Sequence, residues 1–298
     1  MEKLNIYDGH LHTHGEPCDP PEVFVEKARS CGIAGGTVFS VHPAKYHHFP
    51  DFDQRPKSLI DRVLEFTSKA PGFLPYFFAD LSDSDILDQI EYARKGGIRG
   101  FKVICDGNYR VGDHLDAIAA MAETGLPVMF HSGVDSTPHL SSDNNRPMAF
   151  ESMLNVKGLR FSLAHIGWPW VDEFIGTYAK FTFARYFDGP GVHADMYVDV
   201  TPGTPGIYRR EAMRKLYLTG YDVRPRTFWG TDQIVNNYKP DLTLRMIARD
   251  KAIVEEIERD AAAGVVTDPY GMPPNKDLVP ALFEKAWLAF NGMGGGAA

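Results

Sequence analysis

Short apolar runs recur along the chain, and between them the apolar residues fall at the three-and-four spacing of an amphipathic helix. The first run covers residues 4–12. After it, Asp19 is read as an N-cap with Pro20 at the first helical position, and Val23, Phe24, Ala28 and Cys31 mark one helix face until Gly32 stops it. Residues 33–41 form the second run. Leu59, Ile60, Val63, Leu64 and Thr67 share a face of the helix predicted over 58–70, which Pro71-Gly72 ends before a third run at 73–81. Ser84 opens a helix through Ile86, Leu87, Ile90 and Ala93, closed by Gly96-Gly97, and the fourth run is 98–104. Further runs at 126–131, 159–165, 196–200 and 226–232 alternate with helices predicted at 114–124, from about 148, and at 170–186 and 208–218. Helices over 241–263 and 278–290 follow the last run.

Eight strands alternating with helices predict an α/β fold of the (β/α)8 TIM-barrel type. One domain covering residues 1–298 suffices, with 290–298, rich in Gly and Ala, read as a frayed tail. A doubly wound open sheet is the competing architecture, but no Gly-rich phosphate loop follows the first strand.

Charge narrows the partners. Lys and Arg total 31 against 39 Asp and Glu, a formal charge of −8. That balance argues against nucleic acid and against an anionic membrane surface, and it leaves a small-molecule substrate or a protein partner. A homo-oligomer is compatible with it. The three cysteines, Cys18, Cys31 and Cys105, lack CxxC spacing, so neither a disulfide framework nor a zinc knuckle is indicated. With no run long enough to cross a bilayer and no leader, a cytoplasmic location is expected.

On a barrel of this kind the chemistry gathers at the C-terminal ends of the strands. His10 and His12 end the first run, His131 the fifth, His165 the sixth and Asp232 the eighth. Alternation along a strand turns His10 and His12 to one side. Any one of these histidines taken alone reads as an ordinary core or surface residue, whereas together they would converge on one cavity. His10, His12, His131 and Asp232 make up the kind of set that holds a catalytic divalent ion with a position left open. Such an ion activates water and polarises a carbonyl. Asp232 is then placed to accept and return a proton, and His165 to donate a hydrogen bond to a developing oxyanion.

The sequence resembles the amidohydrolase superfamily, and within it the amidohydrolase-related branch that includes aminocarboxymuconate-semialdehyde decarboxylase-like proteins. The resemblance rests on Asp8-x-His10-x-His12, Pro127-Val128-x-x-His131-x-Gly133, Ala164-His165-x-Gly167 and Trp229-Gly230-Thr231-Asp232, and it spans essentially the whole barrel. It implies one divalent ion on His10, His12, His131 and Asp232, His165 over the substrate, and proton transfer by Asp232. Zinc is the first choice and manganese the second. Lys102 falls where other branches carry a carboxylated lysine bridging two metals. Here an unmodified Lys102 that points into the pocket or packs beside it is expected, with a single ion.

The loops after the strands set specificity on this fold. Arg110 and Arg146 are the candidates there for clamping a substrate carboxylate, beside Lys102. For His14 a role supporting the metal ligands, and for His42, His47 and His48 a place lining the mouth, are weighed against solvent-exposed loop positions, which are the expectation. His114, His139 and His193 are read as surface, Trp168 and Trp170 as rim packing, and Cys105 as lacking the base a nucleophile requires. The function expected is a metal-dependent hydrolase of a C–N, ester or lactone bond in a small, anionic molecule. The alternative is a metal-dependent decarboxylase of an unsaturated or aromatic acid. A barrel that binds a ligand without turnover comes third.

Overall fold

Every apolar run becomes a parallel strand, because each is covered on both sides: side chains of the barrel interior on one, helices on the other. The computed structural model describes residues 4–294 apart from 16–17, 108, 136, 139 and 265–275. Strands β1 (Ile6–His12), β2 (Ile33–Phe39), β3 (Phe73–Ala79), β4 (Gly100–Val103), β5 (Val128–Phe130), β6 (Arg160–Leu163), β7 (Asp195–Asp199) and β8 (Thr227–Phe228) pair in sequence order. A further short strand, β9 (Gln233–Ile234), pairs with β1.

The ring closes through an interruption. β8 lies along β7, the chain leaves the ladder at 229–232, and β9 resumes it along β1. Across the gap the Gly9 N–H donates to the Trp229 carbonyl (3.0 Å) and the Asp232 N–H to the His10 carbonyl (2.9 Å). The single eighth strand expected over 226–232 is therefore two pieces joined by a turn in which Asp232 takes φ +56°. Such a φ is uncommon outside glycine, and aspartate tolerates it better than most residues.

Helices α1 (Pro21–Ser30), α2 (Pro56–Ser68), α3 (Ile86–Gly96), α4 (Leu115–Glu123), α5 (Val171–Asp188), α6 (Gly206–Leu218) and α7 (Pro240–Ala262) surround the barrel. α2 buries Leu59, Ile60, Val63 and Thr67, as its spacing predicts. α1 starts one residue later than expected. Pro20 is its N-cap and Pro21 its first residue, while Asp19, released from capping, pairs with Lys27 at 2.6 Å. Pro147–Met153 is a 3-10 segment rather than an α-helix. β6 ends at Leu163, so His165 stands in the turn beyond it.

A helical run of three pieces, Leu278–Pro280, the π-helical Ala281–Lys285 and Ala286–Phe290, covers the N-terminal end of the barrel. The Trp287 ring stacks on Tyr7 at 4.3 Å and its Nε1–H donates to Thr37 (3.0 Å). Burying that indole contributes on the order of 2–3 kcal/mol. Phe290 is fully buried and Tyr76 donates to the side chain of Asn291 (2.7 Å), so packing extends two residues into the segment read as a tail; residues 295–298 lie outside the described residues. With this end plugged, the opposite one is left for chemistry. No helix among the described residues is long and apolar enough to cross a membrane.

Candidate metal centre

A register shift in β1 between Asp8 and Leu11 sets the last turn of that strand, and the rings of His10 and His12 meet at the barrel mouth. Their Nε2 atoms are 3.1 Å apart, and each is 3.3 Å from Oδ1 of Asp232. Four ligands at about 2.0–2.1 Å from a tetrahedral zinc stand about 3.3–3.4 Å from one another. Three donor atoms thus already occupy the corners of one metal shell. His10, His165 and Asp232 also offer atoms all within 4.8 Å of one another. His131 lies beside His165, ring centroids 5.0 Å apart, and its buried Nε2 has no hydrogen-bond partner. A lone pair left unpaired in a buried place fits a ligand waiting for a cation.

His10, Asp232 and His165 are held from behind, whereas Nδ1 of His12 has no hydrogen-bond partner among the described residues. Nδ1 of His10 donates to Oδ2 of Asp199 at 2.5 Å, which leaves its Nε2 as the lone pair facing Asp232. Asp8 supports the turn that carries Asp232: its carboxylate accepts from the Thr231 N–H (2.8 Å), the Thr231 hydroxyl (2.7 Å) and Tyr238 (3.3 Å). Gly230 is required in that turn, because a Cβ there would stand 2.8 Å from His10 Cβ and 2.9 Å from its backbone nitrogen. Thr201 lies 2.6 Å from Nδ1 of His165, leaving the other ring nitrogen for the cavity, and Thr204 donates to the His165 carbonyl (2.7 Å).

Beneath this layer Arg209 of α6 pairs with Asp250 of α7, both fully buried, and donates to the carbonyls of Val200 and Thr201. Asp250 also accepts from Trp229 Nε1 (2.9 Å). One ion pair therefore fixes the chain just past β7 and just past β8.

Burial decides the protonation states. It pushes the imidazoles of His10 and His165 well below the usual range, and it lowers His131 to about 4, with the Lys102 charge adding to the effect on His10 and His131. These rings are neutral at pH 7, the form that ligates metal. The Asp232 carboxyl is held well below the usual carboxylate range against the upward push of burial, and it is ionised at neutral pH. Burial raises Asp199 to about 6 and Asp8 to about 7.

The centre opens into a cavity of about 450 Å³ whose walls include His42, Tyr46, Phe78, Lys102, Ile104, Val134, Asp135 and Trp168. Lys102 is 2 % exposed and its ammonium has no hydrogen-bond partner; burial lowers it to about 8. Arg110 and Arg146 are not among the lining residues. Arg146 turns outward because Glu173 on α5 offers it a 2.5 Å ion pair and Trp170 a ring face at 5.1 Å, while Arg110 is exposed at the start of a 3-10 turn. His14, His42 and His47 line the cavity; His14 and His42 are half-buried there rather than solvent-exposed, because His42 packs between His12, centroids 5.2 Å apart, and Tyr46. Trp168 lines it too. Cys105 is fully buried with its thiol raised, and His193 pairs with Asp188 (2.7 Å); His139 lies outside the described residues.

The amidohydrolase family profile matches residues 7–266, the whole barrel with its four strand-end motifs. The chain belongs to the amidohydrolase family. Among solved structures, a dihydroorotase from Campylobacter jejuni is 12 % identical with a TM-score of 0.55, over 97 % of this chain and 83 % of that one. A structure described as amidohydrolase II is 15 % identical, TM-score 0.54, over 97 % and 100 %. A dihydropyrimidinase from Brevibacillus agri is 12 % identical, TM-score 0.55, over 97 % and 71 %. At these identities the likeness is one of fold. Comparison with curated proteins returns no match.

For this amidohydrolase, sequence reasoning passed over Asp199, Asp135 and Tyr46. Asp199 left a signal: it is the one charged residue within the apolar run 196–200, and a carboxylate inside a barrel strand needs a partner. Asp135 and Tyr46 sit in polar loops and left none.

Proposed function

We propose that the chain is a metal-dependent hydrolase, with His10, His12, His131 and Asp232 holding one divalent ion, zinc first and manganese second, and with a C–N, ester or lactone bond of a small molecule as the point of attack. The observation that carries this is the 3.1–3.3 Å triangle of His10 Nε2, His12 Nε2 and Asp232 Oδ1. A divalent ion bound there supplies Lewis acidity, which polarises a carbonyl and makes a water easier to ionise.

The side chains supply the rest. Asp232 is anionic at neutral pH and has one oxygen directed at His10 and His12, so its second oxygen takes the proton of the attacking water and passes it to the leaving group. His165, steadied by Thr201, faces the same space and holds the carbonyl oxygen as charge builds on it. Lys102 brings a desolvated positive charge to the same wall, where it acts more strongly than it would in water.

Elemental analysis of the purified protein should find one divalent ion per chain, and Asp232→Asn should lose both the ion and turnover of amide, ester or lactone panels while keeping the wild-type circular dichroism spectrum. Release of carbon dioxide in place of an acid, amine or alcohol would overturn hydrolysis in favour of decarboxylation. Metal-free turnover would overturn the ligand set.

A further inference from the structure

Asp135, in the loop after β5, lines the cavity that holds the metal centre, near enough for its charge to act on both Lys102 and His131. Its carboxylate is fixed by three neutral donors. The Thr137 N–H donates to Oδ1 (3.1 Å), and the Thr137 hydroxyl (2.6 Å) and the Tyr46 hydroxyl (3.0 Å) both donate to Oδ2. None of these neutralises it, and among the described residues no Lys, Arg or His forms an ion pair with it. A carboxylate accepts up to about four hydrogen bonds, so Oδ1 keeps a free lone pair.

Tyr46 is itself tied to the metal centre. Its ring stacks on His42 (5.2 Å, 20°), and His42 stacks on His12 (5.2 Å, 4°). A column of three rings therefore runs from a metal ligand to the group that positions Asp135. The spacing between the reacting centre and this carboxylate is set by packed rings rather than by a free loop.

We propose that Asp135 is a substrate-recognition residue: it receives a hydrogen-bond donor, a hydroxyl or a protonated amine, at the non-reacting end of the substrate, with Tyr46 as its positioning residue. A substrate with a second carboxylate at that end is repelled. The two loop arginines that would have clamped such a group lie outside the lining, where among the described residues Lys102 is the single lysine or arginine, beside the metal centre. This inference rests on the metal-centre reading, which puts the reacting end at His10, His12 and Asp232.

The test uses the zinc-loaded protein and short linear hydroxamic acids, whose headgroup chelates the ion and whose tails end in ammonium, hydroxyl, methyl or carboxylate, with binding measured by calorimetry. In the wild type, ammonium- and hydroxyl-ended tails should bind about tenfold or more tighter than the carboxylate-ended one. Asp135→Asn should collapse that order to within about threefold, and Tyr46→Phe should fall between. Acetohydroxamate, which has no tail, reads the metal centre alone. Failure of acetohydroxamate to bind the wild type overturns the metal centre and this inference with it. Headgroup binding with no discrimination among tails, or an equal loss for every tail in Asp135→Asn, overturns the inference and leaves the metal centre standing.

Discussion

Nδ1 of His10 and Oδ2 of Asp199 meet at 2.5 Å, joining the first strand to the seventh at the candidate metal centre. The carboxylate fixes the ring's tautomer and aim, as such partners do for metal-bound histidines. Asp199→Asn should weaken zinc binding by about 10- to 100-fold, measured by competition with a chromogenic chelator, with the fold retained. Unchanged affinity would show that His10 is oriented by its packing alone.

A Cβ at Gly203 would stand 2.3 Å from Cγ of His165, whose ring and backbone are both tied by hydrogen bonds to Thr201 and Thr204. The imidazole cannot step aside without breaking them. Gly203→Ala should lower kcat by about tenfold or more, equivalent to about 1.4 kcal/mol, with metal content unchanged. Equal kcat would place His165 outside the reaction.

Asp250 is lowered in the folded protein: burial alone would raise it, but Arg209 more than compensates. A depressed carboxyl stabilises the fold above its ordinary value near 3.8 and loses that contribution as pH falls through its folded value. Asp250→Asn leaves Arg209 buried without its counter-charge and should cost about 3–5 kcal/mol in urea unfolding at pH 7. The gap between variant and wild type should narrow as the pH is taken below 3.8. A constant gap would show that shape, not charge, is what Asp250 provides.

Lys102 moves the other way. Burial lowers it from 10.5 to about 8, so an unpaired charge is held in the cavity at neutral pH. The penalty is full below about 8, where both folded and unfolded forms are protonated, and vanishes above 10.5. Lys102→Met should therefore stabilise the fold by about 3 kcal/mol at pH 7, lose that gain above pH 10.5, and sharply lower turnover. A destabilised variant at pH 7 would contradict the desolvated-charge account.

The strand-end residues were legible because a strand's period is two and its end is where an apolar run stops, both of which are local properties of the chain. His10, His12, His131 and Asp232 each stand at such an end. The partners that orient them were not, since His10 finds Asp199 189 residues away and Asp8 holds Thr231 across 223. Arg146 looked available for substrate in the sequence because the carboxylate that captures it is 27 residues away. Its competitor, Glu173, arrives only when α5 packs beside the loop. The interruption of the eighth strand was equally hidden, because it is set by backbone contacts of Trp229 and Asp232 with Gly9 and His10, at the far end of the chain.

That interruption puts the barrel's seam and its reactive centre in one place. His10 and Asp232 belong to the two stretches of backbone that complete the ring, and these are joined there by two main-chain hydrogen bonds and a ladder of two residue pairs, Leu11 with Gln233 and His12 with Ile234. Anything gripping both side chains works as a clasp on a hoop. Stripping the ion should thus let amide hydrogens along β1 and β9 exchange with solvent sooner than those of the strands opposite, and restoring it should fasten the hoop again.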